Sequence, residues 1–171
     1  DKRTSFGGET IVSRGQIEVE APAPPVLVAA LGPQMLKLTG QMADGTITWM
    51  VGPRTLAELT VPTICEAAQA AGRSAPRIVA GVPICVTEQP DAARERAARD
   101  YAVYGQLPSY RAMLDHEGLG GPQDLALIGT ADEVAARIET FREAGVTTLA
   151  ASEFGSPDER AATRQLLVSL L

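Results

Sequence analysis

Short apolar runs alternate with segments of helical periodicity along most of the chain. Four of these runs are each followed by an amphipathic segment, a pattern typical of buried parallel strands that alternate with helices. The four predicted strands lie within residues 26–31, 46–50, 78–86 and 146–151. The pattern therefore predicts an α/β fold with a parallel sheet and right-handed crossover connections.

Glycine followed by proline ends the first two strands, as Gly32-Pro33 and Gly52-Pro53. Proline suits the first position of a helix, because its φ is already helical and its missing N–H would have no partner there. A helix is therefore predicted after each strand. The first of these helices ends near Ala43 and has one apolar face, formed by Met35, Leu38 and Met42.

Two capping boxes predict further helix starts, at Thr130 with Glu133 and at Ser156 with Glu159. Helical patterns also extend from about Pro90 to Gly105 and from Ser109 to about Glu117. Pro83 interrupts the third strand pattern, and because proline has no N–H we expect a bulge, a break or a position without an inter-strand partner there.

The first 25 residues differ from the βα pattern that follows. Residues 1–20 predict a hairpin with strands near 10–12 and 16–20 around a turn at 13–15, and the proline-rich residues 21–25 predict a stiff connector. A chain of 171 residues is expected to form one domain, in which residues 26–171 are the βα units. Four parallel strands alone would leave two hydrophobic sheet edges open.

Composition narrows the classes of partner. The chain is 45% hydrophobic and 21% charged, a balance typical of globular proteins, and its formal net charge is −6. That charge argues against nucleic acid or an anionic membrane as the main partner and leaves small-molecule ligands. Since no long apolar window or targeting segment is found, we predict a cytoplasmic protein.

Cysteine and histidine are scarce. Cys65 and Cys85 lack C-x-x-C spacing, which favours buried apolar roles over a disulfide or a zinc site. His116 is the only histidine, so a Ser-His-Asp triad would depend on it and a site with several histidines is excluded. We predict no metal site.

The strand that ends at Gly32 and the helix that begins at Pro33 have the local features of an anion-binding turn. A helix N-terminus presents free backbone N–H groups and the positive end of the helix dipole, and glycine allows a ligand to approach closely. An ordinary βα turn with nothing bound has the same features, and the local pattern leaves both interpretations open.

Longer segments resemble the luciferase-like oxidoreductases that use coenzyme F420, a deazaflavin. The resemblance is carried by VAALGPQML at 28–36, ADGTITWMVGPRTL at 43–56, and residues 82–87, 104–110, 145–149 and 154–156. It implies a (β/α)8 TIM barrel roughly twice as long as this chain. The chain would then supply the C-terminal half, strands five to eight, which agrees with its start at Asp1 and its four predicted strands.

The resemblance also implies an activity. Members transfer a hydride between the deazaflavin and an organic substrate, so the chain is expected to be part of a reductase or dehydrogenase. One alternative is an FMN-dependent luciferase-like monooxygenase. Another is a half-barrel that serves as a non-catalytic binding or assembly module.

The resemblance implies functional roles only for those positions of this sequence that match the family's motifs. The resemblance assigns the cofactor-phosphate turn to Ala30, Leu31, Gly32, Pro33 and Gln34. In the loop after the second strand lie Gly52 and Arg54, whose guanidinium would meet the phosphate or the acidic tail of F420, or remain a surface arginine with no ligand.

Substrate contacts are expected at the carboxyl ends of the strands. Trp49, Met50 and Phe154 are the candidates there, although a core position for Trp49 is equally compatible with the pattern. Glu153 is the one carboxylate after the fourth strand with an acid/base position, but the resemblance places proton donors largely in the other half of the barrel.

Open sheet edges also predict a protein partner. The expected partners are the missing N-terminal half-barrel or a second copy that completes an eight-stranded barrel, so a homo-oligomer is expected.

Overall fold

The computed structural model describes residues 3–16 and 21–171, and it confirms the predicted α/β class with a five-stranded parallel sheet. The strands are β1 (Arg3–Gly7), β2 (Val12–Gln16), β3 (Leu27–Val28), β4 (Gly45–Trp49), β5 (Arg77–Val86), β6 (Leu127–Gly129) and β7 (Thr148–Glu153). The helices are α1 (Pro33–Met42), α2 (Pro53–Thr55), α3 (Val61–Ala70), α4 (Pro90–Asp100), α5 (Pro108–Glu117), α6 (Pro122–Leu125), α7 (Ala131–Glu143) and α8 (Pro157–Ser169). A π-helical turn, Leu56–Thr60, joins α2 to α3, and a 3₁₀ segment, Ala102–Gly105, follows α4.

The long strand β5 is the centre of the sheet. On one side it pairs with β4 along its first half and with β6 at its last residues, and on the other side it pairs with β7. β3 pairs with β4, and all of these pairings are parallel. The four predicted strands are thus confirmed, although β3 is shorter than predicted. β6 was not predicted, because three residues are too few to give a periodic signal.

Pro83 lies within β5 without breaking it. In a parallel sheet, successive residues of a strand direct their backbone N–H and C=O groups to opposite neighbours, so residues two apart face the same neighbour. The carbonyl of Gly81 accepts from Met50 on the β4 side, so the backbone of Pro83 also faces that side. The β4 pairing ends at Gly81 and the β6 pairing begins at Ile84, so the missing N–H falls in the gap between them. Of the three outcomes expected at Pro83, the structure shows a position without a partner on the β4 and β6 side, while on the other side Pro83 stays in register with Ser152 of β7.

Pro62 gives a physical reason for the π-helical turn between α2 and α3. In a regular α-helix its ring would press on the carbonyl of Glu58, and it offers no N–H. The backbone instead widens, and the N–H of Val61 donates to the carbonyl of Leu56, five residues back. The helix predicted after Gly52-Pro53 therefore forms as three consecutive segments.

The main core lies between the sheet and its helices. Its largest fully buried side chains include Leu56, Ile64, Ile78, Ile84, Leu127 and Phe141. α1 packs on α3 through Leu36, Thr39 and Gly40. The predicted apolar face of α1 is exposed, at 44% for Met35, 44% for Leu38 and 72% for Met42. Periodicity identified this apolar face correctly, but a different face of α1 contacts α3. On that second face, Gly40 allows the two helices to approach closely.

The hairpin forms, but its turn lies elsewhere than predicted. β1 pairs antiparallel with β2, with Gly7 opposite Val12, and the N–H of Gly8 donates to the carbonyl of Ile11 at 2.8 Å. Residues 13–15, the predicted turn, lie inside β2. Gly8 and its neighbours make the tighter turn, and the predicted strand residues 17–20 lie outside the described residues.

The predicted helix starts at Thr130 and Ser156 are confirmed as capping boxes. In the part of the chain that the structure describes, the helices are too short or too polar to span a lipid bilayer.

Candidate functional site

A cavity of about 540 Å³ lies against the carboxyl-terminal part of the sheet. Trp49, Gly81 and Ala150 are aligned across β4, β5 and β7, so they lie on one face of the sheet. The core side chains Ala80 and Val82 alternate with Gly81 and point to the other face. The cavity is lined by Ala29, Ala30, Leu31, Ile47, Thr48, Trp49, Gly81, Ser109, Tyr110 and Ala150. This lining carries no charged side chain and suits an apolar or aromatic ligand.

An aromatic cluster supports one wall of this cavity. Trp49 makes edge-on ring contacts with Tyr101 and Tyr104, at centroid distances of 6.2 and 6.0 Å. Tyr104 contacts Tyr110 at 5.0 Å, and Tyr101 contacts Phe154 at 5.7 Å. These five aromatic residues therefore link the ends of β4 and β7 with the segment that contains α4 and α5. Burial raises the pKa of Tyr101 and Tyr110, so both phenols remain neutral at pH 7.

Of the three predicted pocket residues, one lines the cavity and two are buried in the core. Trp49 lines the cavity, whereas Met50 is only 1% exposed and packs in the main core. Phe154 is also buried, beside Cys85 and beneath Tyr101. Met50 is the one described non-glycine residue with positive φ, at 53°, and its N–H donates to the carbonyl of Gly81. This left-handed turn ends β4 directly after Trp49.

The helices that follow β4, β5, β6 and β7 each have an acidic side chain at their N-terminus, supplied by the helix itself or by another element. Glu117 accepts the N–H of Thr55 in α2 at 2.6 Å, Glu133 accepts that of Thr130 before α7 at 2.8 Å, and Glu159 accepts that of Ser156 before α8 at 2.7 Å. α4 has Asp91 in its first turn. Each of these positive helix ends is thus compensated by the chain itself.

α1 differs from them. Its first turn contains no acidic residue, and Gly32 provides no side-chain cap. The first hydrogen bond of the helix runs from Leu36 to the carbonyl of Gly32, so the N–H groups of Gln34 and Met35 precede the helical ladder. A Cβ added to Gly32 would meet no protein atom within 4 Å. The space at this helix end is open, and the preceding residues Ala30 and Leu31 line the cavity.

The second Gly-Pro turn is occupied by protein. A Cβ on Gly52 would overlap the carboxylate of Glu117, which caps α2. Arg54 is 58% exposed and pairs with Glu58 at 3.3 Å, and Glu58 also contacts His116 at 3.0 Å. Gly32 and Gly52 therefore follow the same sequence pattern but have different surroundings.

Glu153 lies away from the cavity. It pairs in register with Ile84, a main-core residue, so its side chain lies on the helix-facing side of the sheet. There its carboxylate forms an ion pair with Arg164 of α8. Within residues 3–16 and 21–171, no group of three or more His, Cys, Asp or Glu side chains is arranged to hold a metal ion.

Sequence reasoning missed the contribution of α5. Ser109 and Tyr110 line the cavity, and Glu117 caps α2, yet these residues are far in sequence from the strands that they approach. The spacing of Tyr101, Tyr104 and Tyr110 was the available signal, because three tyrosines concentrated between two strands favour a wall at the carboxyl end of the sheet.

The chain is thus an α/β protein in which an open helix N-terminus lies beside an apolar cavity at the carboxyl end of a parallel sheet, the place where such folds commonly hold their ligands. Residues 1–148 match the luciferase-like monooxygenase family. The chain belongs to that family.

Curated relatives share part of the chain. An uncharacterized protein of Mycobacterium tuberculosis is 32% identical over 105 residues, which cover 58% of this chain and 31% of the relative. The 5,10-methylenetetrahydromethanopterin reductase of Methanolobus tindarius is 27% identical over 161 residues, which cover 78% of this chain and 48% of the relative. The chain thus spans a third to a half of these relatives.

Solved structures share the fold. An F420-dependent secondary alcohol dehydrogenase in complex with an F420–acetone adduct has a TM-score of 0.77 at 23% identity, covering all of this chain and 57% of the other. The oxygenating constituent of 3,6-diketocamphane monooxygenase from Pseudomonas putida, in complex with FMN, has a TM-score of 0.68 at 16% identity, covering 98% of this chain and 57% of the other. The sheet thus corresponds to about half of a luciferase-like TIM barrel.

Proposed function

We propose that this chain is the cofactor-binding half of an oxidoreductase that transfers a hydride between coenzyme F420 and an uncharged organic substrate. The observation that carries this proposal is the open N-terminus of α1 next to the apolar cavity. One elongated ligand with an apolar ring system and a phosphate would fill both. F420 and FMN have this form, and a flavin or deazaflavin supplies two-electron hydride chemistry when bound.

The chain's own residues would bind and orient rather than transfer protons. The N–H groups of Gln34 and Met35 would donate to the phosphate, and Gly32 leaves room for it. Ile47, Trp49 and Tyr110 would contact the ring and exclude water from its face. Because Glu153 is paired with Arg164 outside the cavity, we assign it no acid/base role.

Two similarities favour F420 over FMN. The Methanolobus relative is named as a methylenetetrahydromethanopterin reductase, and a solved tetrahydromethanopterin reductase that shares the fold is described as coenzyme F420 dependent. The alcohol dehydrogenase structure contains an F420 adduct. The likeness to an FMN-containing monooxygenase keeps FMN as the second candidate.

Gly32→Ala tests the phosphate position. The backbone at Gly32 has φ −83° and ψ 155°, which any residue adopts, and the new Cβ meets no protein atom, so the fold should be unchanged. The methyl group would however occupy the space left for a phosphate. We expect the affinity for F420 or FMN to fall about tenfold, as measured by ligand-induced thermal stabilisation, while riboflavin, which lacks the phosphate, is unaffected.

Two substitutions on α1, each adding one negative charge at a different end of the helix, provide a test and its control. Gln34→Glu places a carboxylate at the open N-terminus and should weaken phosphate binding, whereas Gln41→Glu, near the C-terminal end of α1, should not. Equal effects of the two substitutions, or binding of neither cofactor by the native chain, would overturn the proposal. Stabilisation by FMN alone would assign the site to FMN.

A further inference from the structure

Helix α5 forms part of the cavity wall although it belongs to no strand–helix repeat of the sheet. Ser109 and Tyr110, in its first turn, line the cavity. Met113 and Leu114, near its middle, pack in the main core. The N-terminal end of α5 is therefore the functional end, and its position depends on how the remainder of the helix is held.

The opposite end of α5 is attached to the loop after β4. Glu117, the last residue of the helix, is half-buried and accepts the N–H of Thr55 at 2.6 Å. The neighbouring His116 contacts Glu58 of the π-helical turn at 3.0 Å. Two successive side chains of α5 thus bind two successive turns of the α2–α3 segment.

Gly52 is explained by the same contact. Its φ of −85° and ψ of 171° are ordinary extended values, so no conformational reason requires glycine. A Cβ at this position would overlap the Glu117 carboxylate. The absence of a side chain at residue 52 therefore serves the approach of Glu117.

We propose that Glu117 is a positioning residue, which fixes α5 against the N-terminus of α2 and thereby sets where Ser109 and Tyr110 stand on the cavity wall. Tyr110 precedes Glu117 by two helical turns, about 10 Å along the axis, so a shift at the Glu117 end is transmitted to the wall. The aromatic contacts from Tyr110 through Tyr104 reach Trp49 and carry the shift across the cavity. The importance of that wall for ligand binding rests on the proposed function, whereas the attachment itself does not.

Hydrogen exchange and tryptophan fluorescence test the attachment directly. In Glu117→Ala, loss of a charge-assisted hydrogen bond should lower the protection of the hydrogen-bonded amides of α5, which begin at Arg111, and of the Thr55 amide, about tenfold. Trp49 is the only tryptophan of the chain, so its quenching by acrylamide should increase as α5 moves away from the cavity. Glu117→Gln keeps an acceptor oxygen and should restore part of the protection.

Glu143→Ala is the matched control, because Glu143 also ends a helix and is exposed. It should change neither signal. In Gly52→Ala, the added methyl group would displace the Glu117 carboxylate, so this variant should show the same local loss of protection at 108–117. If it does not fold, the Glu117 variants still decide the question.

Native-like protection at 108–117 in Glu117→Ala, or a loss spread evenly over the whole chain, would overturn the proposal. Measuring riboflavin affinity separates the failure of the proposed role of Glu117 from the failure of the proposed cofactor-binding function. If no flavin or deazaflavin binds the native chain, the proposed function fails while exchange and quenching still test Glu117. If cofactor binds and Glu117→Ala changes neither exchange nor riboflavin affinity, only the role of Glu117 fails.

Discussion

At the scale of residues, carboxylates at helix starts contribute to the stability of the fold. The hydrogen bond from the backbone N–H of Ser156, together with Arg96 at 2.9 Å, holds the pKa of Glu159 at about 2. Cys85 lies beside this pair, and burial raises the pKa of its thiol to about 11. The cluster is thus one stable ion pair next to a neutral thiol.

The depressed pKa of Glu159 predicts an acid-sensitive contribution to stability. A carboxyl group with a pKa lower in the folded than in the unfolded chain stabilises above its unfolded pKa, and this contribution is lost as pH falls towards the folded value. Between about pH 5 and pH 2, the free energy of unfolding should decrease by about 2 kcal/mol through this group. Urea unfolding across that range measures it.

Glu159→Gln should be less stable than the native chain at pH 7, and most of that difference should be lost as the pH falls to about 2. Glu143→Gln, at an exposed helix end, serves as the control. A native pH dependence that persists unchanged in Glu159→Gln would contradict the assignment.

At the scale of elements, the contact between α1 and α3 depends on a glycine in the middle of α1. A Cβ on Gly40 would overlap the carbonyl of Ile64 and lie 2.8 Å from the Cβ of Ala67. Glycine within a helix costs about 1 kcal/mol relative to alanine, so close helix packing is the compensating reason.

Gly40→Ala should therefore destabilise the chain by about 2 kcal/mol despite its better helix propensity, because the added methyl separates α1 from α3. Thermal unfolding measures the difference. Gly32→Ala, at the open end of the same helix, is the control and should leave stability unchanged or slightly increased. Stabilisation by Gly40→Ala would contradict the packing described here.

The elements that the sequence predicts well are those with strong local signals. The capping boxes at Thr130 and Ser156 and the strands around β5 follow from side-chain pattern and local hydrogen bonding. The hairpin turn was placed wrongly, at residues 13–15, whereas the chain turns between Gly7 and Val12. The apolar face of α1 was recognised, but whether another element covers it depends on tertiary contacts. In the site, the turn at Gly32 was recognisable, but its contrast with Gly52 depends on Glu117, which lies 62 residues from Thr55.

At the scale of the whole molecule, the outer strands β3 and β7 form the two outer edges of the described sheet, with β6 pairing only with the last residues of β5. Among the described strands, β3 pairs only with β4, and β7 pairs only with β5. Apolar side chains are exposed in the elements at both ends of the sheet, namely Val26 directly before β3, Leu38 and Met42 in the helix that follows β3, and Val168, Leu170 and Leu171 near β7. We propose that a second half-barrel covers these edges, as expected from relatives whose length exceeds that of this chain.

The isolated chain should consequently self-associate. Sedimentation at rising concentration should show species larger than the 17.9 kDa monomer. Leu38→Glu together with Met42→Glu should reduce the association, whereas Lys37→Glu, on the exposed polar side of α1, should not. A folded monomer at all concentrations would contradict this proposal.

The central position of β5 also has a consequence for how the chain assembles. β5 is bonded to β4, where Thr48 contacts Val79 across 31 residues, and to the start of β7, where Thr147 contacts Ile78 across 69 residues. Closing the longer loop costs more chain entropy, and during synthesis β7 emerges after β3, β4 and β5. Strands β3 to β5, with the open end of α1, would therefore form before β7 pairs with β5. The part of this sheet that folds first would already contain the proposed phosphate turn.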